Sequence, residues 1–460
     1  MYGSFGISPS QASLMIKPVG PACNLRCAYC YYLSVADGLY DGRTPRMGTD
    51  TLEAIFAAWL PRGEQTVTIS WQGGEPTLAG LPFFQWAVEL QQKHARPGQN
   101  IANALQTNGT TLNDDWCRFF ATHGFLIGIS IDGDADDHDH YRVDPKQQGT
   151  FARVQHGLRK LREHGVEHNV LCVLNDRNIR SPRRLYRRVR DLAGSRQRGP
   201  CWLQFIPGIE WVDPPEDQPN AQPTLASFSP DGEAYGRFLC EVFDQWFEHD
   251  RLDVSIRIFD NVLSVLTGGP PVECTHGPAC HSQVTVEHNG DLFGCDHYVQ
   301  RRWQLGTVHP ERSACGSAAP AGGSLIPVTV GDTDARASVA ATSDADWLDR
   351  LDHVRLRTFA DRKLHLPATC RACDYRKFCH GGCPKHRPHR GDTPEASTLC
   401  AGYRRFFAHS MERFEWLAGF LQRGQMPPAP GREIQGQRRP DARRSSTTAK
   451  RRPTRKRRRR

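Results

Sequence analysis

From residue 12 to about 207, six short apolar runs alternate with amphipathic stretches. The apolar runs are ASLMIKPV (12–19), TVTISW (66–71), IANALQ (101–106), FLIGISI (125–131), EHNVLCVL (167–174) and WLQFI (202–206). Helical patterns fall near 49–60, 80–94, 112–122, 150–163 and 181–193. Strands joined through helices pair in parallel, and their crossovers are right-handed. The alternation therefore predicts an α/β fold whose parallel sheet curves into a barrel or partial barrel. In such folds the chemistry sits at the C-terminal ends of the strands. The polar motifs obey that rule. CNLRCAYC follows the first run and GGEP (73–76) the second, while QTNG (106–109) ends the third and SIDG (130–133) the fourth.

Beyond 207 the pattern changes. A bridging region carries one helical stretch near 232–249, and a cysteine-rich region runs from about 270 to 405. Within it, 311–345 is rich in Ala, Gly, Ser and Thr and reads as a flexible insertion. The expected division is a barrel over 1–225, a bridge over 226–269, a cysteine-rich domain over 270–410, and a terminal helix with a disordered tail over 411–460. The net charge of +9 sits in that tail, because 442–460 hold eleven Lys and Arg and no acid, and without them the chain carries about −2. Such a tail can contact nucleic acid through counterion release, or serve only solubility. Positions 1–22 show no basic segment leading into an apolar core, and no apolar run approaches a membrane span. A cytoplasmic protein is expected.

Sixteen cysteines in that compartment argue for metal rather than disulfides. Cys23, Cys27 and Cys30 form C-x3-C-x2-C, three soft ligands in one tight loop. A closed zinc or iron–sulfur site wants four, so the spacing leaves the fourth ligand unassigned. A second set reads C-x5-C-x14-C (274, 280, 295), then C-x2-C-x5-C-x3-C-x16-C (370, 373, 379, 383, 400). Eight thiolates fill two four-ligand sites. Spacing alone leaves zinc and [4Fe–4S] both open. Cys117, Cys172, Cys201, Cys240 and Cys315 read as ordinary small residues.

The segments CNLRCAYCYYL, WQGGEPTLAGLPFF, LQTNGTTL, ISIDGDADDHDHYR, WLQFIPGIE, GCDHYV and CRACDYRKFCHGGCPKHR carry a resemblance. Together they resemble the radical S-adenosylmethionine (SAM) enzymes that bear a SPASM domain, closest to the anaerobic sulfatase-maturating enzymes, over roughly 12–410. The resemblance implies a partial (β/α)6 TIM-like barrel with a C-terminal SPASM domain. It implies three [4Fe–4S] clusters. Cys23, Cys27 and Cys30 would hold three irons of the first, whose open iron is chelated by SAM. Cys274, Cys280, Cys295 and Cys383 would hold one auxiliary cluster, and Cys370, Cys373, Cys379 and Cys400 the other. Tyr29 is the aromatic expected before the third cysteine. Gly74 and Glu75 would contact the methionine part of SAM, with Ser130, Arg142 and Leu203, at the end of the sixth strand, as further contacts. Without the family, Gly-Gly reads as a turn, Ser130 as a core hydroxyl and Arg142 as a surface charge.

In that family a Cys or Ser of a sulfatase polypeptide becomes Cα-formylglycine. A 5′-deoxyadenosyl radical takes a hydrogen atom from Cβ, an auxiliary cluster accepts an electron, and a base accepts a proton. Asp296, beside Cys295, matches the family's base. Its bland alternative is a turn cap or a pairing with Arg301 or Arg302. His297 is a second relay candidate, though a structural His fits its place better. Gln72 and Tyr32 are expected to line the substrate site. A low-potential donor such as flavodoxin or ferredoxin would supply the electron that starts the cycle. Two competing readings are another SPASM enzyme that crosslinks peptides and a zinc-stapled nucleic-acid-binding protein led by the basic tail. The first often carries an N-terminal leader-binding domain, for which a loop starting at Cys23 leaves no room. The second does not explain C-x3-C-x2-C beside GGEP. The insertion and the tail depart from the family pattern but touch no ligand.

Overall fold

The computed structural model describes residues 12–33, 35, 39–40, 46–194, 201–213, 222–280, 282–309, 347–388 and 395–431. The expected insertion at 311–345, Cys315 and the basic tail lie outside the described residues. The first part of the chain alternates β1 (Ser13–Ile16), α1 (Thr49–Trp59), β2 (Thr66–Trp71), α2 (Leu81–His94), β3 (Asn100–Thr107) and α3 (Asp114–His123). It continues with β4 (Leu126–Ser130), α4 (Ala135–Tyr141), α5 (Phe151–Glu163), β5 (His168–Leu174), α6 (Pro182–Ala193) and β6 (Cys201–Pro207). Strands β1 to β6 pair in parallel and in sequence order.

Local chemistry sets the element ends. β1 stops at Ile16 rather than running to residue 19, because Pro18 has no N–H to give the ladder and Gly20 turns the chain at φ +51°. α3 starts where the Asn113 side chain accepts from the Trp116 N–H at 3.0 Å, and it ends at Gly124 in the left-handed conformation.

The two faces of the sheet differ. Ile69, Trp71, Leu105, Ile127, Ile129, Val170, Leu203 and Phe205 join one buried cluster with Leu52 and Phe56 of α1, Phe84 of α2, Phe120 of α3 and Val189 of α6. The helices therefore cover this face. The alternate residues Ser70, Gln106, Ser130 and Gln204 are half-buried and mostly polar. A strand sends successive side chains to opposite faces, so these share the face the helices leave uncovered.

After a short hairpin of β7 (Trp211–Val212) and β8 (Thr224–Leu225) come α7 (Gly232–Gln245), β9 (Val254–Ile256) and α8 (Arg257–Leu266). The helix expected over 232–249 thus ends at Gln245 and continues as a π turn over Trp246–Asp250. β9 pairs in parallel with β6. The cysteine-rich region then gives β10 (Gln283–Val286), β11 (Asp291–Phe293) and β12 (Gln304–Thr307), followed by α9 (His353–Leu364), α10 (Ala368–Arg371), α11 (Arg376–Cys379) and α12 (Cys400–Gln422). β10 pairs in parallel with β1, and β11 and β12 follow antiparallel, so one ten-stranded sheet runs from the barrel into this region.

α12 begins at Cys400, earlier than the terminal helix expected from 411. It lies against α7, where a Cβ on Gly402 would stand 2.3 Å from the Gly232 carbonyl oxygen, so only glycine permits this approach. Arg413 and His409 donate to Asp244 across the same contact at 2.8 and 2.7 Å. Among the described residues no helix is long and apolar enough to cross a membrane.

Candidate active site

The loop after β1 carries Cys23, Cys27 and Cys30, all partly buried. Backbone bonds hold it on two sides. Arg26 N–H donates to the Val143 carbonyl at 2.7 Å and Ala28 N–H to Tyr141 at 3.1 Å, tying the loop to the end of α4. Gly74 and Glu75 donate from GGEP to the Gly20 and Ala22 carbonyls, both at 2.8 Å. A Cβ on Gly74 would sit 2.1 Å from the Ala22 oxygen, so the glycine is needed first for this close approach. The Glu75 carboxylate is fully buried and already engaged. It accepts from the Thr107 hydroxyl and Asn108 N–H at 2.7 Å, and from the Thr77 hydroxyl and N–H at 2.7 and 3.1 Å. Glu75 thus locks the ends of β2 and β3 together, and its charge also acts on Cys23.

Tyr29 lies in a buried triad. Its hydroxyl donates to Asp132 and accepts from Arg142 Nη1 at 2.8 Å. Arg142 is 6% exposed, not a surface charge, and its Nε is a buried donor without a partner. Cys27 is among the charges that act on it. Ser130 ends β4 on the uncovered face, in register with Leu171 and Gln204. Leu203 does not end the sixth strand as expected. β6 runs on to Pro207, and Leu203 points into the helix-covered core. The apolar run was legible, but its register placed Leu203 on the opposite face from Ser130 and Gln204.

Asp296 opens a 3₁₀ turn after β11 and faces the cysteine loop. Its Oδ2 accepts from the Tyr31 hydroxyl at 2.8 Å, and its Oδ1 lies 3.7 Å from Cys295 Sγ. It does not pair with the nearby arginines, for Arg301 reaches Asp291 and Arg302 reaches Gln300. Burial by itself would raise the Asp296 carboxyl, but His297 above all, with Lys17, Tyr31 and Lys385, holds it below the ordinary carboxylate range. His297 is itself pushed down by burial and by the same two lysines, against the raising effect of Asp296. Lys385 Nζ lies 3.3 Å from His297 Nδ1, 4.4 Å from the Tyr31 ring centroid, and bridges to Glu210. Gln72 Nε2 reaches Gln106 Oε1 at 3.4 Å on the uncovered face. Tyr32 sits over the ends of β1 and β10. It is 2% exposed, its hydroxyl donates to Glu287 at 2.6 Å, and Lys17 lies over its ring at 3.4 Å. Tyr31 reaches Asp296 instead.

The eight remaining cysteines fall into two groups. Cys370, Cys373, Cys379 and Cys400 line one cavity of about 260 Å³. Cys383 does not join them, although it follows Cys379 by four positions. It acts electrostatically on Cys274, Cys280 and Cys295. Two buried cations attend the groups. Lys363 Nζ donates to the Cys274 and Thr275 carbonyls at 2.9 and 2.6 Å, and Arg387 is 6% exposed. Neither has a carboxylate partner among the described residues.

The Radical SAM superfamily matches residues 18–189. A serine-type anaerobic sulfatase-maturating enzyme of Bacteroides thetaiotaomicron is 32% identical over 428 residues, covering 90% of this chain and 93% of that protein. The chain belongs to this family. A cysteine-type anaerobic sulfatase-maturating enzyme of Clostridium perfringens is 29% identical, over 87% of this chain and 96% of that one. The solved structure of anSMEcpe with bound AdoMet and the Cp18Cys peptide superposes with a TM-score of 0.71 at 28% identity, covering 89% of this chain and 99% of that one.

The side chains fit the groups that the anaerobic sulfatase-maturating enzymes imply. Burial pushes the Cys23 thiol up to about 12, and the Cys274 and Cys379 thiols up to about 11. Such thiols become ligands only where a metal supplies positive charge. Among the described residues no three Cys, His, Asp or Glu side chains converge on one point to hold a single ion. The unpartnered Arg142 Nε and the cations Lys363 and Arg387 are buried where a negative group would satisfy them. Tyr31, Lys17, Lys385, Glu210, Lys363 and Arg387 went unread in the sequence, because nothing in their spacing ties them to a cysteine. Asn108 and Asp132 lay inside QTNG and SIDG, so their signal was present. Asn108 Nδ2 stands 3.9 Å from Cys23 Sγ.

Proposed function

We propose that this chain converts a Cys or Ser side chain of a sulfatase to Cα-formylglycine, as an oxidoreductase with SAM, one SAM-binding [4Fe–4S] cluster and two auxiliary ones. The carrying observation is Asp296, a half-buried carboxylate bonded to Tyr31 of the cysteine loop and adjacent to Cys295 of an auxiliary group. It thereby links the cysteine loop, through Tyr31, to Cys295. Cys23, Cys27 and Cys30 would hold the first cluster, with the backbone of Gly74–Glu75, Ser130 and Arg142 toward SAM. Cys274, Cys280, Cys295 and Cys383 would hold the second, and Cys370, Cys373, Cys379 and Cys400 the third. When bound, SAM and its cluster supply hydrogen-atom abstraction from the substrate Cβ. Asp296, held below its ordinary value by His297, Lys17, Tyr31 and Lys385, would take the proton from the substrate oxygen or sulfur. Tyr31 orients that carboxylate. The electron given up would pass to the groups held by the later cysteines. A flavodoxin or ferredoxin in the cytoplasm would start the cycle.

The test is anaerobic mass spectrometry of the reconstituted protein with SAM, a reductant and peptides carrying Cys-x-Pro-x-Arg or Ser-x-Pro-x-Arg. Formylglycine together with 5′-deoxyadenosine is the expected result, and the accepted peptide names the target residue. Deoxyadenosine without peptide change would move the substrate to another peptide class. Asp296→Asn is expected to keep SAM cleavage while slowing aldehyde formation by about 10²–10⁴. Equal loss of both activities would make Asp296 structural.

A further inference from the structure

Resting on the auxiliary-cluster reading above, we infer that Arg387 is a counter-cation shared by both auxiliary clusters, raising both reduction potentials so that they accept the substrate's electron. The guanidinium is wedged between two structural pieces. Nε donates to the Gly381 carbonyl at 3.3 Å. Nη1 donates to the Arg362 and His365 carbonyls at 3.0 and 3.1 Å, and Nη2 to Lys363 at 3.4 Å. Gly381 stands between Cys379 and Cys383, one cysteine from each group, and lines the cavity of the second group. A Cβ there would meet Leu366 Cδ2 at 2.4 Å and Nη2 at 2.9 Å, and φ is +77°, so glycine suits this turn.

All four acceptors are backbone carbonyls, and no described carboxylate neutralises Arg387. An arginine stays charged in a protein. Burying an unpaired cation is strongly unfavourable. The carbonyls at the end of α9 offset part of that charge. The thiols that act on Arg387 come from both groups: Cys370 from one, Cys280 and Cys383 from the other. Two anionic clusters would complete the neutralisation. Each electron accepted adds one negative charge to a cluster, so a fixed cation beside it favours the reduced form. The balance is closed by the reaction: the substrate radical loses one electron to a cluster and one proton to the base. Lys363 offers an internal contrast. It bonds beside Cys274, and the thiols acting on it are Cys280, Cys383 and Cys274, all of the first group.

The experiment is an EPR-monitored redox titration of the anaerobically reconstituted full chain. Arg387→Gln is expected to lower both auxiliary potentials by about a tenfold change in the reduction equilibrium, about 59 mV for one electron. Arg387→Lys should retain most of each potential. Lys363→Met should move only the cluster of Cys274, Cys280, Cys295 and Cys383. The SAM-binding cluster should stay unmoved in all three. Unchanged auxiliary potentials in Arg387→Gln, a shift in only one of them, or an equal shift in Arg387→Lys would overturn the inference. If Arg387→Gln loses iron, Arg387→Met replaces it, and an unmoved first potential in Lys363→Met also counts against the cation argument. A wild-type chain holding zinc, or iron for one cluster only, would instead sink the auxiliary-cluster reading beneath it.

Discussion

The loop after β1 and the region after residue 270 both gather cysteines, but they do so by different means. In the loop, three thiols lie within 23–30, and backbone bonds to GGEP and to 141–143 set their places. In the later region, four thiols of each group are collected from as far apart as Cys274 and Cys383 or Cys370 and Cys400. Charge differs as well. Arg142 beside the loop has Tyr29 and Asp132 for company, whereas Lys363 and Arg387 have no described carboxylate. A contiguous loop can leave a coordination position open toward a substrate. On the proposed reading, groups assembled by the fold would use all their ligands, with buried cations beside them.

The largest effect should separate the two regions directly. Cys27→Ala is expected to abolish SAM cleavage. Cys379→Ala should remove about one third of the bound iron yet keep SAM cleavage, since each cluster is held by its own thiols. Iron analysis with a deoxyadenosine assay checks both, and loss of cleavage in Cys379→Ala would break the separation.

A smaller effect tests how the later region is held to the barrel. Gly402→Ala puts a methyl 2.3 Å from the Gly232 carbonyl, which cannot yield as a side chain would. The overpacking should cost about 1–3 kcal/mol in a denaturant titration. Because Cys400 opens the same helix, iron loss should be confined to the second group. Retained stability would show that α12 can slide on α7.

The smallest effect concerns acid. Burial would raise Asp244, but His409 and Arg413 hold it below its ordinary value of 3.8. A group depressed in the folded state stabilises fully above its unfolded value and ceases to do so as pH falls through the folded one. Asp244→Asn should therefore cost about 0.5–1 kcal/mol at neutral pH and progressively less as pH falls below about 4. Melting curves across that window check the sign, and an equal loss at every pH would assign the contact to packing.

The strands of the barrel were legible because each apolar run is self-contained. TVTISW became β2 at its predicted bounds, and helices 49–60 and 80–94 shifted by one residue at most. The strand-end rule also placed the cysteine loop, GGEP, QTNG and SIDG at one end of the sheet. Side-chain direction was harder to read. Leu203 sits in a stretch that was read correctly, yet it points away from the uncovered face. Within a run of apolar or aromatic residues, composition does not say which face each one takes.

The sequence alone determined the α/β alternation, the open three-cysteine loop and the supply of eight further thiols, because these depend on neighbours along the chain. The family resemblance, not spacing, assigned Cys383 to the first group; only the tertiary structure decided that β10 extends the barrel sheet and that Tyr31, Lys17 and Lys385 act on Asp296 together with its neighbour His297. Those outcomes depend on pairs far apart in sequence. No local spacing encodes them, and only the packing of the sheet edge, α7 and α12 brings them together.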